Sequence, residues 1–373
     1  MNTLAGVPRE MPGLAHAYSA PMGPDHPGVG MPSSATRTFT DPDIYFAGIR
    51  NLQIDGVITK RGEFRAESTR IDLHRLWMHR FDERLPRIMR ITPSGKRSLI
   101  LFATHPYQPN IQVSGIETCQ EQIAMFGLDR PYYLRSSAAC GWATMSLTPE
   151  DLGTVSEAII GRPLTPPSLP RWTRPPAPVA SRLLRLHEAA GHLAKTAPDI
   201  LAKPEVARAI EEALVEAMIL CLTEGHLDDV RTVHRHRASV MRRLEEVLTS
   251  TPDRPLYMPQ LCATVGASYT TLRDCCQEYF GMSPKRYLWL RRMHLVRRVL
   301  RSADAEKTTV TEIATDYGFW ELGRFAGAYR SLFGEPPSAA LRRPPKTQIR
   351  AKSSSRRGNS LDLHRHRDPA IYP

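Results

Sequence analysis

The pattern of apolar and polar residues divides the chain into two unlike parts. Between residues 43 and 152, short apolar runs recur, several with a period of two, and turn residues such as Pro93, Ser94 and Gly95 separate them. A period of two places successive side chains on opposite faces of a strand. This part of the sequence therefore predicts an antiparallel sheet that is curled into a barrel or folded as a sandwich.

Helical spacing replaces the strand pattern after a proline-rich segment at 163–178, which we expect to be a stiff linker. Apolar residues then recur every three or four positions at 179–195, 204–223 and 227–249. In the second of these patterns they are Val206, Ile210, Leu214, Met218 and Cys221. Helices in this connector could form a dimer interface or pack against the preceding sheet, and the pattern favours neither.

One short pattern occurs twice in the C-terminal part, at 259–280 and at 310–333. Each copy has a short helical segment, a glycine turn and a second helical segment with an apolar stripe. We expect an alanine, Ala263 in the first copy and Ala314 in the second, where the two helices cross closely. A short helix, a tight turn and a second helix are typical of the helix-turn-helix motif, whose second helix enters a DNA groove.

A long helix is predicted between the two copies, at 284–303, and it would fix their separation and angle. Its expected core face contains Tyr287, Leu288, Leu290, Leu295, Val299 and Leu300. Its remaining surface is rich in arginine, at positions Arg291, Arg292, Arg297, Arg298 and Arg301.

The net charge of +12 is unevenly distributed. From Arg235 to the end there are 25 basic against 13 acidic residues, whereas residues 1–234 hold 25 of each. All the excess positive charge therefore lies in the part that carries the repeated motif. Because contacts to phosphates supply most non-specific affinity for DNA, this distribution favours double-stranded DNA as a partner.

The remaining composition indicates a cytoplasmic protein without a membrane segment. The apolar runs are too short to span a bilayer, and the N-terminus lacks the basic start and apolar core of a signal peptide. The six cysteines are scattered without Cys-x-x-Cys spacing, so we expect reduced thiols with packing roles. We expect no metal and no other cofactor, because the sheet region has only His74, His79 and His105, without the spacing of a ligand cluster.

The C-terminal part resembles the AraC/XylS family of transcriptional regulators. The resemblance rests on the run from Ser283 to Leu300, on IATDYGF at Ile313–Phe319 and on FAGAYRSLFGEPP, which starts at Phe325. Two motifs and the connecting helix match in order and spacing over roughly residues 240–341. The resemblance implies an all-helical DNA-binding domain, more often an activator than a repressor, with contact to RNA polymerase.

The resemblance also implies which residues face DNA. In the first copy they are Ser268, at the start of the recognition helix, and Tyr269, Thr270, Arg273, Asp274 and Gln277. In the second copy they are Trp320, Glu321, Leu322 and Arg324. Arg273 suits a bidentate contact to guanine, and Asp274 either accepts from a cytosine amino group or orients Arg273. The second copy has fewer polar side chains, so we expect it to contribute more to phosphate and polymerase contacts.

The predicted fold class is α+β, with a β-rich, cupin-like N-terminal barrel, a helical connector and a C-terminal all-α domain. The predicted boundaries are a disordered segment at 1–38, a sensor domain at 39–162, the linker at 163–178, the connector at 179–234, the DNA-binding domain at 240–341 and a disordered basic tail at 344–373. The resemblance to family members with such a barrel implies a small-molecule effector in its mouth or interior. Trp77, Tyr107, Tyr133 and Trp142 either line this site or belong to the core.

Two other classes of function remain open from the sequence. The first is a cupin-type enzyme that its basic C-terminal domain tethers to DNA. No catalytic set of residues stands out in support of it. The second is an architectural DNA-binding protein without sequence preference.

Overall fold

The computed structural model describes residues 32–128, 130–227, 232–250 and 256–343. The fold is α+β, as the sequence predicts, with antiparallel sheets in the N-terminal part and a helical C-terminal part. Of the segment 1–38 that was expected to be disordered, residues 1–31 lie outside the described residues. Ser33–Phe39, however, form a strand that pairs along its whole length with Ala66–Asp72. The tail at 344–373 also lies outside the described residues.

Two antiparallel sheets make up the N-terminal part. The first has eight strands in the order β1-β3-β4-β11-β6-β9-β12-β13, and the second has five in the order β2-β5-β10-β7-β8. The strands are β1 (Ser33–Phe39), β2 (Leu52–Ile58), β3 (Ala66–Asp72), β4 (Trp77–Glu83), β5 (Arg87–Pro93), β6 (Ser98–Ala103), β7 (Ile111–Val113), β8 (Ile116–Thr118), β9 (Ile123–Phe126), β10 (Tyr132–Arg135), β11 (Cys140–Leu147), β12 (Arg171–Arg174) and β13 (His226–Leu227).

Twelve helices are described. They are α1 (Pro42–Ala47), α2 (Pro149–Ile160), α3 (Ala177–Thr196), α4 (Pro198–Leu201), α5 (Pro204–Thr223), α6 (Thr232–Ser250), α7 (Met258–Val265), α8 (Tyr269–Phe280), α9 (Pro284–Ser302), α10 (Val310–Asp316), α11 (Leu322–Phe333) and α12 (Pro337–Arg342). The last seven of them form the C-terminal part.

An aromatic core fills the space between the two sheets. Phe81 of β4 stacks on Trp142 of β11 with 4.0 Å between ring centroids, and Phe126 stacks on Tyr132 at 4.1 Å. Alternation along β4 sends Phe81 into this core and Met78 to the opposite face of the first sheet. The period of two that predicted the strands is thus the period that sorts these side chains between two cores.

Helices α3 and α5 cover the outer face of the first sheet. Leu214, Met218 and Cys221 of α5 are buried in one cluster with residues of β4, β6 and β11. Of the two roles that the sequence left open for this connector, packing against the sheet is the one observed. Because the apolar stripe is already covered, it does not form a free dimer surface.

The proline-rich segment differs from the expected linker. Arg171–Arg174 form strand β12, whose first three residues pair with β9, and Trp172 is buried between the sheets, where its Nε1 donates to Thr118 at 2.9 Å. The sequence pattern does not predict this strand, because the surrounding prolines interrupt both the helical and the strand periodicity near Trp172.

The second sheet is covered on both faces. Its inner face forms the aromatic core, while Val57, Ile88 and Tyr133 of its outer face are buried in clusters with C-terminal helices. No helix among the described residues combines the length and the apolar character needed to cross a membrane. Within the same residues, all six cysteines are free thiols.

Candidate nucleic-acid interface

Helices α7 and α8 form the first helix-turn-helix. Helix α7 ends at Gly266, which has a φ of 64° that favours glycine, and α8 begins after Ser268. The Ser268 hydroxyl accepts a hydrogen bond from the backbone N–H of Thr271 at 3.1 Å, so it caps the helix as expected. Leu272 and Phe280 form part of the buried face of α8, which leaves the opposite face exposed.

Helices α10 and α11 form the second helix-turn-helix. Thr309 and Glu312 form a capping box at the start of α10, and Gly318 has a φ of 76° in the turn. Ala314 is fully buried at the crossing, as predicted, whereas Ala263 of the first motif is exposed. Ala263 was therefore assigned to the wrong face. Leu261 and Val265, one helical turn apart, are the buried residues of α7.

Helix α9 joins the two motifs and packs against both. At one end, Tyr287 stacks on Phe280 of α8 with 3.8 Å between ring centroids. Further along, His294 meets Phe333 of α11 edge-on at 5.0 Å. One helix that is wedged against two recognition helices fixes their relative position, as the sequence predicts.

The residues that were predicted to face DNA lie on exposed surface. Tyr269 is 48% exposed, Trp320 is 72% exposed, and the other members of both sets are also exposed: Ser268, Thr270, Arg273, Asp274, Gln277, Glu321, Leu322 and Arg324. The first set lies on α8 and the second at the start of α11, so each recognition helix presents its own group.

Acidic neighbours hold the two candidate arginines. Nε and Nη2 of Arg273 each lie 3.3 Å from Oδ1 of Asp274, and Nη1 of Arg324 lies 2.7 Å from Oε2 of Glu321. All four side chains are solvent-exposed, and exposed pairs of this kind contribute about 0–1 kcal/mol. The pairs can therefore orient the guanidinium groups without competing strongly with a base or a phosphate.

A family model described as a helix-turn-helix domain matches residues 261–343. The probable thc operon regulatory protein of Rhodococcus erythropolis is 35% identical over 155 residues, which cover 39% of this chain and 46% of that protein. The XylDLEGF operon transcriptional activator of Pseudomonas putida is 36% identical over 104 residues, 28% of this chain and 32% of that protein. The chain thus spans less than half the length of either curated relative.

Among solved structures, a probable AraC family transcriptional regulator from Rhodopseudomonas palustris is 34% identical, with 28% of this chain and 95% of that chain covered and a TM-score of 0.25. Through this domain, the chain belongs to the AraC/XylS family. The structure of the AraC-like transcriptional activator CuxR covers 73% of this chain and 97% of its own at 14% identity, with a TM-score of 0.38.

The AraC/XylS domain is docked on the outer face of the second sheet. Tyr133 of β10 meets Phe280 edge-on at 5.0 Å, and its hydroxyl donates to Glu245 of α6. Glu245 also pairs with Arg90 of β5, with 2.5 Å between Oε1 and Nε. Tyr133 was a candidate for lining an effector pocket. It faces the DNA-binding domain instead, because its strand position points it away from the aromatic core.

Most of the arginines of α9 also contact the N-terminal part rather than solvent. Arg291, Arg297, Arg298 and Arg301 all pair with aspartates of α1, its cap or β2. The sequence pattern predicts them on the surface of α9 that lies outside its core face. Their partners lie about 240–260 positions earlier in the chain, and no local pattern marks such a pairing.

A cavity of about 420 Å³ opens at one end of the first sheet. Seven of the nine residues that line it are polar or charged, and the full set is Arg65, Glu67, Asp82, Glu83, Arg84, His105, Gln108, Ala139 and Cys140. Trp142 was a candidate for this role but is fully buried, and Tyr107 is 96% exposed. Trp77, the remaining candidate, lies at a second and much smaller cavity, where the guanidinium groups of Arg50 and Arg97 flank its ring at 3.5 and 3.9 Å.

A buried charged cluster lies behind the larger cavity. Glu83 accepts a hydrogen bond from the Tyr45 hydroxyl at 2.6 Å, and Arg87 lies 2.5 Å from its other carboxylate oxygen. Burial raises the pKa of Glu83, although the nearby Arg87 opposes this rise. Burial also raises the pKa of the Cys140 thiol, to about 11, so this thiol is protonated at neutral pH. Among the described residues, no group of three or more His, Cys, Asp or Glu side chains is arranged to hold a metal ion.

Proposed function

We propose that the chain is a sequence-specific DNA-binding transcriptional regulator that responds to a small molecule bound by its N-terminal part. One observation carries the proposal. Two helix-turn-helix motifs are fixed on one helix, and each recognition helix presents an exposed group of polar and aromatic side chains. Helices held in this way can enter successive major grooves, roughly 34–36 Å apart. The relatives are named as operon regulators and activators, which supports activation as the direction of control.

Selection of bound DNA from a random duplex pool tests the proposal. Full-length protein should enrich two short sequence elements about one helical turn apart, roughly 10 bp. Binding without any enriched element, lost uniformly as salt rises, would contradict sequence-specific recognition and favour the architectural alternative.

The larger cavity is the proposed effector site. Its volume lies in the range typical of small-molecule sites, about 300–1,000 Å³, and its rim is formed by loops that connect the first sheet to the second. Contact with RNA polymerase and assembly into a homodimer are further parts of the proposal. Because the apolar stripe of α5 packs on the sheet, a homodimer would have to use another surface.

A bulky side chain at the rim should block the effector site. Ala139 is exposed and lines the cavity, so Ala139→Trp should fill it without disturbing the core. A small molecule that raises the melting temperature of the wild-type chain should then no longer do so. An equal thermal shift in wild type and variant would place the effector elsewhere.

A further inference from the structure

Three carboxylates of the N-terminal part meet the arginines of α9. Asp41 and Asp43 lie at the start of α1, and Asp55 lies on β2. Arg298 binds two of them, with 2.9 Å from Nε to Asp43 and 2.8 Å from Nη1 to Asp55. We call these three residues the aspartate clasp.

The other arginines complete a connected network. Arg297 pairs with Asp43, and its Nη2 lies 3.3 Å from Oδ2 of Asp41. Arg301 pairs with Asp41 as well, and Arg291 lies 3.9 Å from Asp55. The clasp thus engages four arginines of one helix with three carboxylates.

Most of the network is shielded from water, and Arg298 and Asp55 are its more exposed members, at 21% and 33%. The side chains of Arg291, Arg297 and Arg301 are each about one tenth exposed, and those of Asp41 and Asp43 are similar. Burial lowers the pKa of Arg298, but Asp55 and Asp43 outweigh it and raise that pKa overall. Buried pairs are weakly screened by salt, so the arginines are held as charged partners of the clasp.

Little apolar surface reinforces the contact of α9 with α1 and β2, whereas Ile88 and Tyr133 pack in a separate apolar cluster with α6 to α8 and Tyr287. Val57 is the one N-terminal residue in the buried apolar cluster that the described part of α9 forms with α10 to α12. Next to it, His294 accepts a hydrogen bond from the Ile58 N–H at 3.2 Å, and Arg298 donates to the Gly56 carbonyl at 3.1 Å. Because this part of the interface consists mainly of ion pairs and hydrogen bonds, it can separate into water while Ile88 and Tyr133 stay packed on α6 to α8, so no large apolar area is exposed.

A DNA phosphate and a carboxylate of the clasp bind arginine in the same way. Each presents a pair of anionic oxygens that accept hydrogen bonds from a guanidinium group. We propose that the aspartate clasp competes with DNA for the arginines of α9, so that the closed chain binds DNA more weakly than a chain with the clasp open. This inference rests on the proposed DNA-binding function. The clasp neutralises arginines that contribute to the excess positive charge of the C-terminal part. Opening the clasp makes these arginines available to bind DNA.

The test is Asp43→Asn together with Asp55→Asn in the full-length chain. Asp41 is left unchanged because its carboxylate caps α1 by accepting from the Asp43 and Ile44 N–H groups. The probe is a fluorescein-labelled duplex of random sequence, roughly 30 bp or about three helical turns, and Kd is measured over a series of salt concentrations. We expect about tenfold tighter binding at low salt, and a salt dependence of log K that is steeper by about 0.9 for each arginine that reaches a phosphate.

A matched control separates the clasp from net charge. Glu188 and Asp199 are exposed on α3 and α4, so Glu188→Gln with Asp199→Asn changes the charge equally without touching α9. The control should bind DNA like the wild-type chain. An equal gain in the control would overturn the clasp inference, as would unchanged or weaker binding by the clasp variant. If neither the wild-type chain nor any variant binds the duplex, the proposed function itself fails.

Circular dichroism shows whether the double substitution disturbs folding. If it does, a second variant provides the test. Asp55 is one third exposed, and Asp55→Asn alone leaves Asp41 and Asp43 paired with Arg297. It should give a smaller gain in the same direction, and small-angle scattering should show a larger radius of gyration than for the wild-type chain. A gain in neither quantity would overturn the inference.

Discussion

Arg273 and Asp274 are neighbours on the exposed face of α8, where the carboxylate orients the guanidinium. We predict that Arg273→Ala costs about 1–3 kcal/mol at one base position and leaves other positions unchanged, since a bidentate contact reads a single base. Binding to a panel of single-base variants of the selected site measures this.

Arg185 provides the control for this prediction because it is exposed on α3, which packs against the first sheet and belongs to neither motif. Arg185→Ala removes the same charge and should leave base preference intact. If Arg273→Ala instead weakens binding to every sequence equally, Arg273 contacts a phosphate.

Local periodicity predicts residues that pack within one motif, and it fails for residues that pack across domains. It predicts an apolar stripe on the second helix of each motif, and in α8 Leu272, Cys276 and Phe280 form part of the buried face, because neighbours about one helical turn apart determine that face. It could not assign Tyr133 or Arg298, since their partners come from a distant part of the chain. The exposed positions predicted to read DNA remain a prediction.

At the scale of elements, α1 packs closely against β2 at Gly56, which has no side chain. A Cβ on Gly56 would overlap the ring of Phe46, which the core holds in place. We predict that Gly56→Ala destabilises the chain by about 1–3 kcal/mol through overpacking. It should also displace α1 from β2 and so separate Asp43 from Asp55.

Gly153 gives the opposite expectation. It lies inside α2, where a Cβ would meet its nearest neighbour at 3.8 Å. Gly153→Ala should therefore stabilise the chain by about 0.5–1 kcal/mol, because alanine has the higher helix propensity. Chemical denaturation of both variants compares the two, and equal effects would contradict the packing argument.

Sequence patterns predicted the long elements well and the short strand β12 not at all. Helices α5, α8 and α9 follow from sustained apolar periodicity over three or more turns. Strand β12 spans four residues among prolines, and it forms because Trp172 is buried between sheets that the local sequence does not reveal.

At the scale of the whole molecule, three buried histidines make stability sensitive to acid. Burial, together with nearby arginines, lowers the pKa of His79 and His187 to about 3 and that of His294 to about 4. Their unfolded pKa is about 6.5, so the unfolded chain takes up protons first as the pH falls. Stability should be complete above about pH 6.5 and should fall progressively toward pH 4, by on the order of 3 kcal/mol for one such group.

His294→Gln isolates one of these contributions while keeping an acceptor for the Ile58 N–H. The slope of unfolding free energy against pH should become shallower between about pH 6.5 and 4. His192→Gln, at an exposed position of α3, should keep the wild-type slope. Denaturant titrations at a series of pH values measure both slopes, and identical slopes for the two variants would contradict the assignment.

The second sheet, which is buried on both faces, limits how this protein can be recombined. Regulators with separate sensor and DNA-binding parts can be recombined as chimeras, in which the sensor of one protein is joined to the DNA-binding domain of another. Here a graft at any single boundary would leave Val57, Ile88 and Tyr133 facing a surface for which they were not matched, together with unpaired carboxylates. A functional hybrid would have to exchange the outer face of this sheet together with the DNA-binding domain. The two contacting surfaces, rather than either domain alone, therefore have to be transferred as one unit.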